Sequence, residues 1–151
     1  RRLPPWHANL GKRLVKSLKV YVRDSGLVHA LLNIPDKETL LSHPVVGQSW
    51  ECHVMENLLV CAGDRAQGYF YRTSGGAEID LLLAWPDGSL WAEELRRFRL
   101  TPKVERGFHA ACDDLQPARK YVVYPGRAAY PLYPDIEAIP VAELARLVAA
   151  A

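Results

Sequence analysis

Apolar positions along this chain repeat in two rhythms, one near every fourth residue and one at every second. From Val45 to about Cys61, Val46, Trp50, Val54 and Leu58 recur at four-residue spacing, with Asn57 and Cys61 alongside. That spacing puts them on one stripe and predicts an amphipathic helix turned toward a core. Pro44 starts it and Gly63-Asp64 ends it. A second stripe runs through Val104, Phe108, Ala111, Cys112 and Leu115, with Thr101 read as N-cap and Pro102 as the first helical residue. Leu144, Leu147 and Val148 predict a closing helix over Val141 to Ala150.

Between the first two helices the period shortens. Tyr69 to Arg72 reads as a short aromatic strand that packs a sheet. Glu78 to Ala84, dominated by Ile79, Leu81, Leu82 and Leu83, reads as a longer one. Pro86-Asp87-Gly88 supplies a turn, after which Leu90 to Arg97 returns as an antiparallel hairpin partner. Lys120 to Tyr124 is a buried-type strand, and the helix that crosses back to it completes a βαβ unit. Glu137 to Ile139 offers one more strand. Nearer the start, Lys19 to Val22 predicts a short strand, Asp24-Ser25 caps a short helix from Gly26 to about Leu32, and Pro35 opens another helical turn.

Residues 1–20 are a basic lead-in in which the adjacent Pro4 and Pro5 exclude helix. The chain opens on Arg1 rather than methionine, which reads as a start inside a longer polypeptide. At 151 residues it has the length of about one domain and can bury roughly two thirds of its unfolded surface. A net charge of +2 is too small to imply a polyanionic partner, so any nucleic-acid argument rests on local patches. One patch is Lys12, Arg13, Lys16, Lys19 and Arg23, read as a solvated or domain-contact face or as a phosphate-contact strip. Another is Arg96, Arg97, Arg99 and Lys103.

Cys52, Cys61 and Cys112 lack CxxC spacing and fall at core-like helix positions, as small buried thiols do in a reducing cytoplasm. No apolar run approaches the roughly 18 residues that cross a bilayer. The five histidines form no HxxxH or HExxH pair, and no glycine-rich phosphate loop is present.

Alternation along the hairpin concentrates the remaining chemistry. Glu78, Asp80 and Leu82 share one face of their strand, with Ile79, Leu81 and Leu83 on the other. Leu90, Ala92, Glu94 and Arg96 share a face of the partner. Asp80 and Glu94 therefore fall side by side with Arg96 one step on, and Glu51 approaches from the preceding helix. Converging carboxylates repel and desolvate badly unless a proton or cation compensates. Mg²⁺ or Mn²⁺ suits Asp80, Glu94 and Glu51, because such an ion takes one or two carboxylates plus water and phosphate oxygen. The alternative is a polar cleft held by salt bridges to Arg72 and Arg96. Glu93 breaks the pattern. Its neighbours in alternation, Trp91 and Leu95, face the core, so it needs a wet edge or a basic partner, or else the strand is no longer shaped for catalysis.

The order of helix glutamate, strand aspartate, glutamate-x-basic residue and helix resembles the PD-(D/E)xK nuclease-like fold. More closely, residues 17–150 resemble an uncharacterised domain that follows the ATPase and winged-helix modules of prokaryotic AAA-type ATPases. The matching segments are Lys19 to Leu27, His43 to Glu51, Tyr71 to Asp80 and Trp91 to Arg96. The resemblance implies an α/β fold with a restriction-endonuclease-like mixed β-sheet core flanked by helices. It implies residues 1–16 as the tail of a winged-helix-like module and 17–151 as the nuclease-like domain.

It also places Glu51, Asp80 and Glu94 on the acidic catalytic positions and Arg96 on the lysine position. Arginine stays protonated and cannot act as a base. It can stabilise phosphate charge, or pair with Asp80 or Glu94 and fill a metal's space, while Lys103 offers an amine from another direction. The expected function is a non-catalytic or weakly active accessory domain that binds nucleic acid or a protein partner beside its own upstream ATPase and winged-helix modules. The alternatives are a Mg/Mn-dependent phosphodiesterase acting on DNA or RNA, and a structural docking module. A cytoplasmic setting without membrane contact is expected, and homo-oligomerisation is left open.

Overall fold

The computed structural model describes residues 1–7, 17–97 and 103–151. Its centre is a six-stranded mixed sheet in the order β3-β4-β5-β6-β8-β7. The strands are β3 (Gln67–Arg72), β4 (Glu78–Ala84), β5 (Leu90–Leu95), β6 (Arg119–Tyr124), β7 (Tyr130–Tyr133) and β8 (Ile136–Pro140). β3, β4 and β5 form an antiparallel meander. β6 lies parallel to both β5 and β8, and β7 runs antiparallel at the far edge. The predicted βαβ unit is present as β5, α4 (Arg106–Leu115) and β6.

Helices cover both faces. α3 (Val46–Ala62) and α5 (Val141–Ala150) lie on one, where Val54, Leu58, Leu144 and Val148 meet Leu81, Leu83, Trp91 and Val123. α4 lies on the other, packing Phe108, Ala111 and Cys112 on Tyr71, Leu82, Ala92 and Val122. These are the residues whose spacing predicted the helices. Cys52 and Cys112 are buried, Cys61 is half-buried, and all three are free thiols. No helix among the described residues is long and apolar enough to cross a membrane.

Three details depart from the pattern reading. First, α4 begins at Arg106 behind Glu105, and Lys103 to Glu105 are not helical. The predicted cap at Thr101-Pro102 lies outside the described residues, as do Lys12, Arg13, Lys16 and Arg99. Second, β7 has no counterpart in the alternation pattern, because Pro131 interrupts it; at a sheet edge a missing N–H is tolerated.

Third, the β3–β4 register shifts. Tyr69 stands opposite Leu82 but Tyr71 opposite Ile79, so β4 carries an extra residue at Asp80–Leu81. Such a bulge resets alternation. Ile79 consequently joins Leu82 on the α4 side instead of Leu81 and Leu83.

The first residues are tied to the same body. β1 (Arg2–Leu3) pairs antiparallel with β2 (Lys19–Val20). Pro5 bridges to Phe70, and Leu3 is 1% exposed within the core under α3. Arg1 pairs with Glu56 at 2.5 Å. Leu3 thus contributes to this core. Short α1 (Ser25–Leu31) and α2 (Lys37–Ser42) precede α3, each capped by an aspartate: Asp24 accepts from Leu27 N–H at 3.1 Å and Asp36 from Thr39 N–H at 2.8 Å.

Candidate functional site

Where the bulge in β4 meets the end of β5, a cleft of about 490 Å³ opens between α3 and α4. Glu51, Glu78, Asp80, Glu94, Arg96, Glu105 and Arg106 are among its lining residues. The structure therefore brings all four sequence-predicted residues, Glu51, Asp80, Glu94 and Arg96, to one place. Each arrives from a different local cause. Glu51 sits on the second turn of α3, Asp80 in the bulge, Glu94 near the end of β5, and Arg96 just past it, where its N–H still donates to Val123 O at 2.8 Å.

The carboxylates are held by different partners. Asp80 Oδ2 accepts from Leu95 N–H at 2.9 Å. Glu94 Oε1 pairs with the Arg96 guanidinium and also accepts from Glu105 N–H at 3.3 Å, while Glu94 Oε2 is buried with no hydrogen-bond partner. A second guanidinium nitrogen of Arg96 meets the Glu105 carboxylate at 2.9 Å. Glu51 makes no hydrogen bond or ion pair among the described residues. Arg72, the other arginine expected to hold the cleft, pairs instead with Glu78 at 3.5 Å, and Lys19 reaches Glu78 at 3.3 Å.

Electrostatics follow from this crowding. Burial, then the charge of Asp80, pushes the Glu51 carboxyl up to about 7 against the pull of Lys19. Burial also raises Asp80, opposed by the Leu95 N–H and Lys19. Glu94 is driven to about 7 by burial despite the Arg96 pair. Burial works against the charge of Arg96, but Glu94 and Glu105 outweigh it and its pKa rises. Near neutral pH the cleft thus holds carboxyls poised between protonated and charged forms, with one guanidinium clamped across two of them.

Those contacts bear directly on a metal. One oxygen of Glu94 is committed to Arg96 and one of Asp80 to a backbone N–H. Among the described residues no three His, Cys, Asp or Glu side chains are gathered as an ion-holding group. Lys103 is exposed and does not line the cleft.

Glu105 is a site residue that the pattern reading missed. Its position just ahead of α4 aims its N–H and its carboxylate at the end of β5, and only the true start of that helix would have revealed it. Glu93, beside the site in sequence, takes neither of the outlets expected for it. It is fully buried between Leu81 and Tyr121 on the α3 side, and neither oxygen has a hydrogen-bond partner. Burial alone raises its pKa well above that of an ordinary glutamate and so favours the protonated acid.

Fold and site together define a three-layer α/β domain with a carboxylate cleft closed by an arginine. Residues 46–144 match the family described as a domain of unknown function, DUF4143, and the chain belongs to that family. Residues 1–38 match a second domain of unknown function, DUF8612. Uncharacterised proteins of Mycobacterium bovis and Mycobacterium tuberculosis are each 41% identical to the chain over 140 residues, which is 93% of this chain. The chain spans only 31% of the length of either relative. No solved structure matches it.

Proposed function

We infer that the chain is a non-catalytic accessory domain of an AAA-type ATPase, built on a restriction-endonuclease-like fold and used to engage a macromolecular partner. The observation that carries this reading is Arg96, paired with both Glu94 and Glu105 where the nuclease motif has lysine. An arginine so placed neutralises the carboxylates and cannot act as a base. The relatives' extra length leaves room for the ATPase modules. Of the two partner classes, the cleft favours protein over nucleic acid. Five acidic side chains line it beside Arg96 and Arg106, so it presents no concentrated positive charge to a phosphate backbone.

A second reading, a Mg/Mn-dependent phosphodiesterase, is favoured by the unpartnered Glu94 Oε2 and by Glu51, which pairs with nothing among the described residues, two acids that a cation would suit.

Incubation of single- and double-stranded DNA and RNA with the protein and Mg²⁺ or Mn²⁺, with Glu94→Ala as control, decides between them. The accessory reading expects no cleavage and no rise in Tm on adding Mn²⁺, since an ion bound only by the folded state must stabilise it. Cleavage lost in Glu94→Ala overturns it.

A further inference from the structure

From Ser17 to Val45 the chain is folded, yet no residue in it is buried. The stretch holds β2, α1 and α2, and neither helix contributes a residue to either core. It is nevertheless rich in large apolar side chains. Of the ten exposed large hydrophobics among the described residues, seven lie between Leu18 and Leu41, and Val20 and Leu31 are each 73% exposed. Scattered apolar residues are ordinary on a protein surface; their confinement to one short segment is the mark of an interface.

The local geometry says the same. Leu27 and Leu31 are one turn apart on α1 and so share a face, and both are exposed. Aspartate caps specify both helices, but helices of six and seven residues do not stand without packing. Against α3 the segment is held by polar contacts: Cys52 Sγ donates to Val22 O at 2.9 Å and Arg23 pairs with Glu56 at 3.0 Å. His29 meets Ser49 at 2.6 Å, and a cleft of about 190 Å³ remains between Tyr21, Val28, Val45 and Cys52. Along its other edge β2 has no strand partner among the described residues.

The relatives' extra length supplies a candidate for what covers this face. Residues 1–38 match a different family from residues 46–144, and the mycobacterial relatives extend over more than three times the matched length. We propose that β2, α1 and α2 are one side of an intramolecular interface, covered in the longer polypeptide by apolar surface from a module outside the matched third. This inference does not depend on whether the carboxylate cleft is catalytic.

The test places a cysteine at Leu31 (Leu31→Cys) in the 151-residue chain and in the full-length polypeptide that carries it. Maleimide labelling at that position is read by peptide mass spectrometry, with Arg127→Cys, exposed between β6 and β7, as reference. Labelling at position 31 is expected to slow tenfold or more in the full-length protein, while the reference changes less than twofold. Equal rates in the two proteins overturn the proposal. Slow labelling in the 151-residue chain that accelerates on dilution overturns it in favour of a second copy. As an independent reading, Leu31→Asp is expected to raise by tenfold the labelling of a Leu27→Cys reporter in the full-length protein; no change counts against the interface.

Discussion

The guanidinium of Arg96 is bound to the carboxylate of Glu94, two residues before it, while Asp80 across the hairpin takes the N–H of Leu95 instead. The arginine therefore ties the end of β5 to itself and, through Glu105, to the approach of α4. Arg96→Ala leaves Glu94, whose side chain is 4% exposed, without its counter-charge. Breaking a fully buried pair costs about 3–5 kcal/mol; because Arg96 itself is 30% exposed, a loss of about 1–3 kcal/mol is expected in urea unfolding at pH 8. Arg96→Lys, with one point charge for two carboxylates, should fall between the two. A variant as stable as the parent would show that the pair holds nothing together.

Much of this was legible in the sequence because hydrophobic period survives folding. The stripes through Val54 and Leu58 and through Phe108 and Cys112 pack where they predict, and the Asp80–Glu94 juxtaposition follows from the hairpin register. The bulge at Asp80–Leu81 was not legible, since an extra residue in one strand is visible only against its partner. Nor was the choice of Arg96 for Glu94 and Glu105 over Asp80, which depends on where α4 begins. Alternation marks Glu93 as out of place, but it gives a side chain's direction and not the fate of its charge.

Acid should stabilise the domain. Glu51 and Glu94 have folded pKa values of about 7, above the ordinary value near 4.5. Below 4.5 both states hold the protons and neither group costs anything. As pH rises from there the unfolded chain ionises while the folded one resists, so stability falls until about pH 7 and then levels for these two groups. The Tm is expected to be higher at pH 5.5 than at pH 7.5, and Glu51→Gln with Glu94→Gln should flatten much of that difference. A Tm that climbs with pH through this window would contradict the burial of these groups.

Gly107 tests how tightly α4 closes the cleft. A Cβ there would stand 2.5 Å from Gly76 O, a backbone atom that cannot swing aside. Gly107→Ala must push the start of α4 away from the β3–β4 turn, at a cost of about 1–3 kcal/mol. Because Arg106 and Glu105 move with it, Glu94 should lose its N–H donor and become more readily protonated. Thermal unfolding at two pH values reads both effects. An unchanged Tm would mean that α4 is not pinned to this turn.

Glu93 offers the sharpest separation of structure from catalysis. Both its oxygens lie unpartnered in the apolar layer beneath α3, where burial favours the protonated acid. Glu93→Leu removes a buried polar group whose desolvation is uncompensated and should stabilise the fold by about 1–3 kcal/mol. Glu93→Gln keeps the shape and removes only the titration. With a folded pKa far above 4.5, Glu93 makes the parent lose up to about 1.4 kcal/mol of stability per pH unit above that value, for as long as the folded acid stays protonated. Glu51 and Glu94 titrate alike in parent and variant, so their contributions cancel in a comparison of the two. Between pH 5 and 6 the parent should therefore weaken more steeply than Glu93→Gln, measured by urea unfolding at each pH. Identical slopes would place a counter-charge beside Glu93. A destabilised Glu93→Leu would show that the acid is a bonded part of the core.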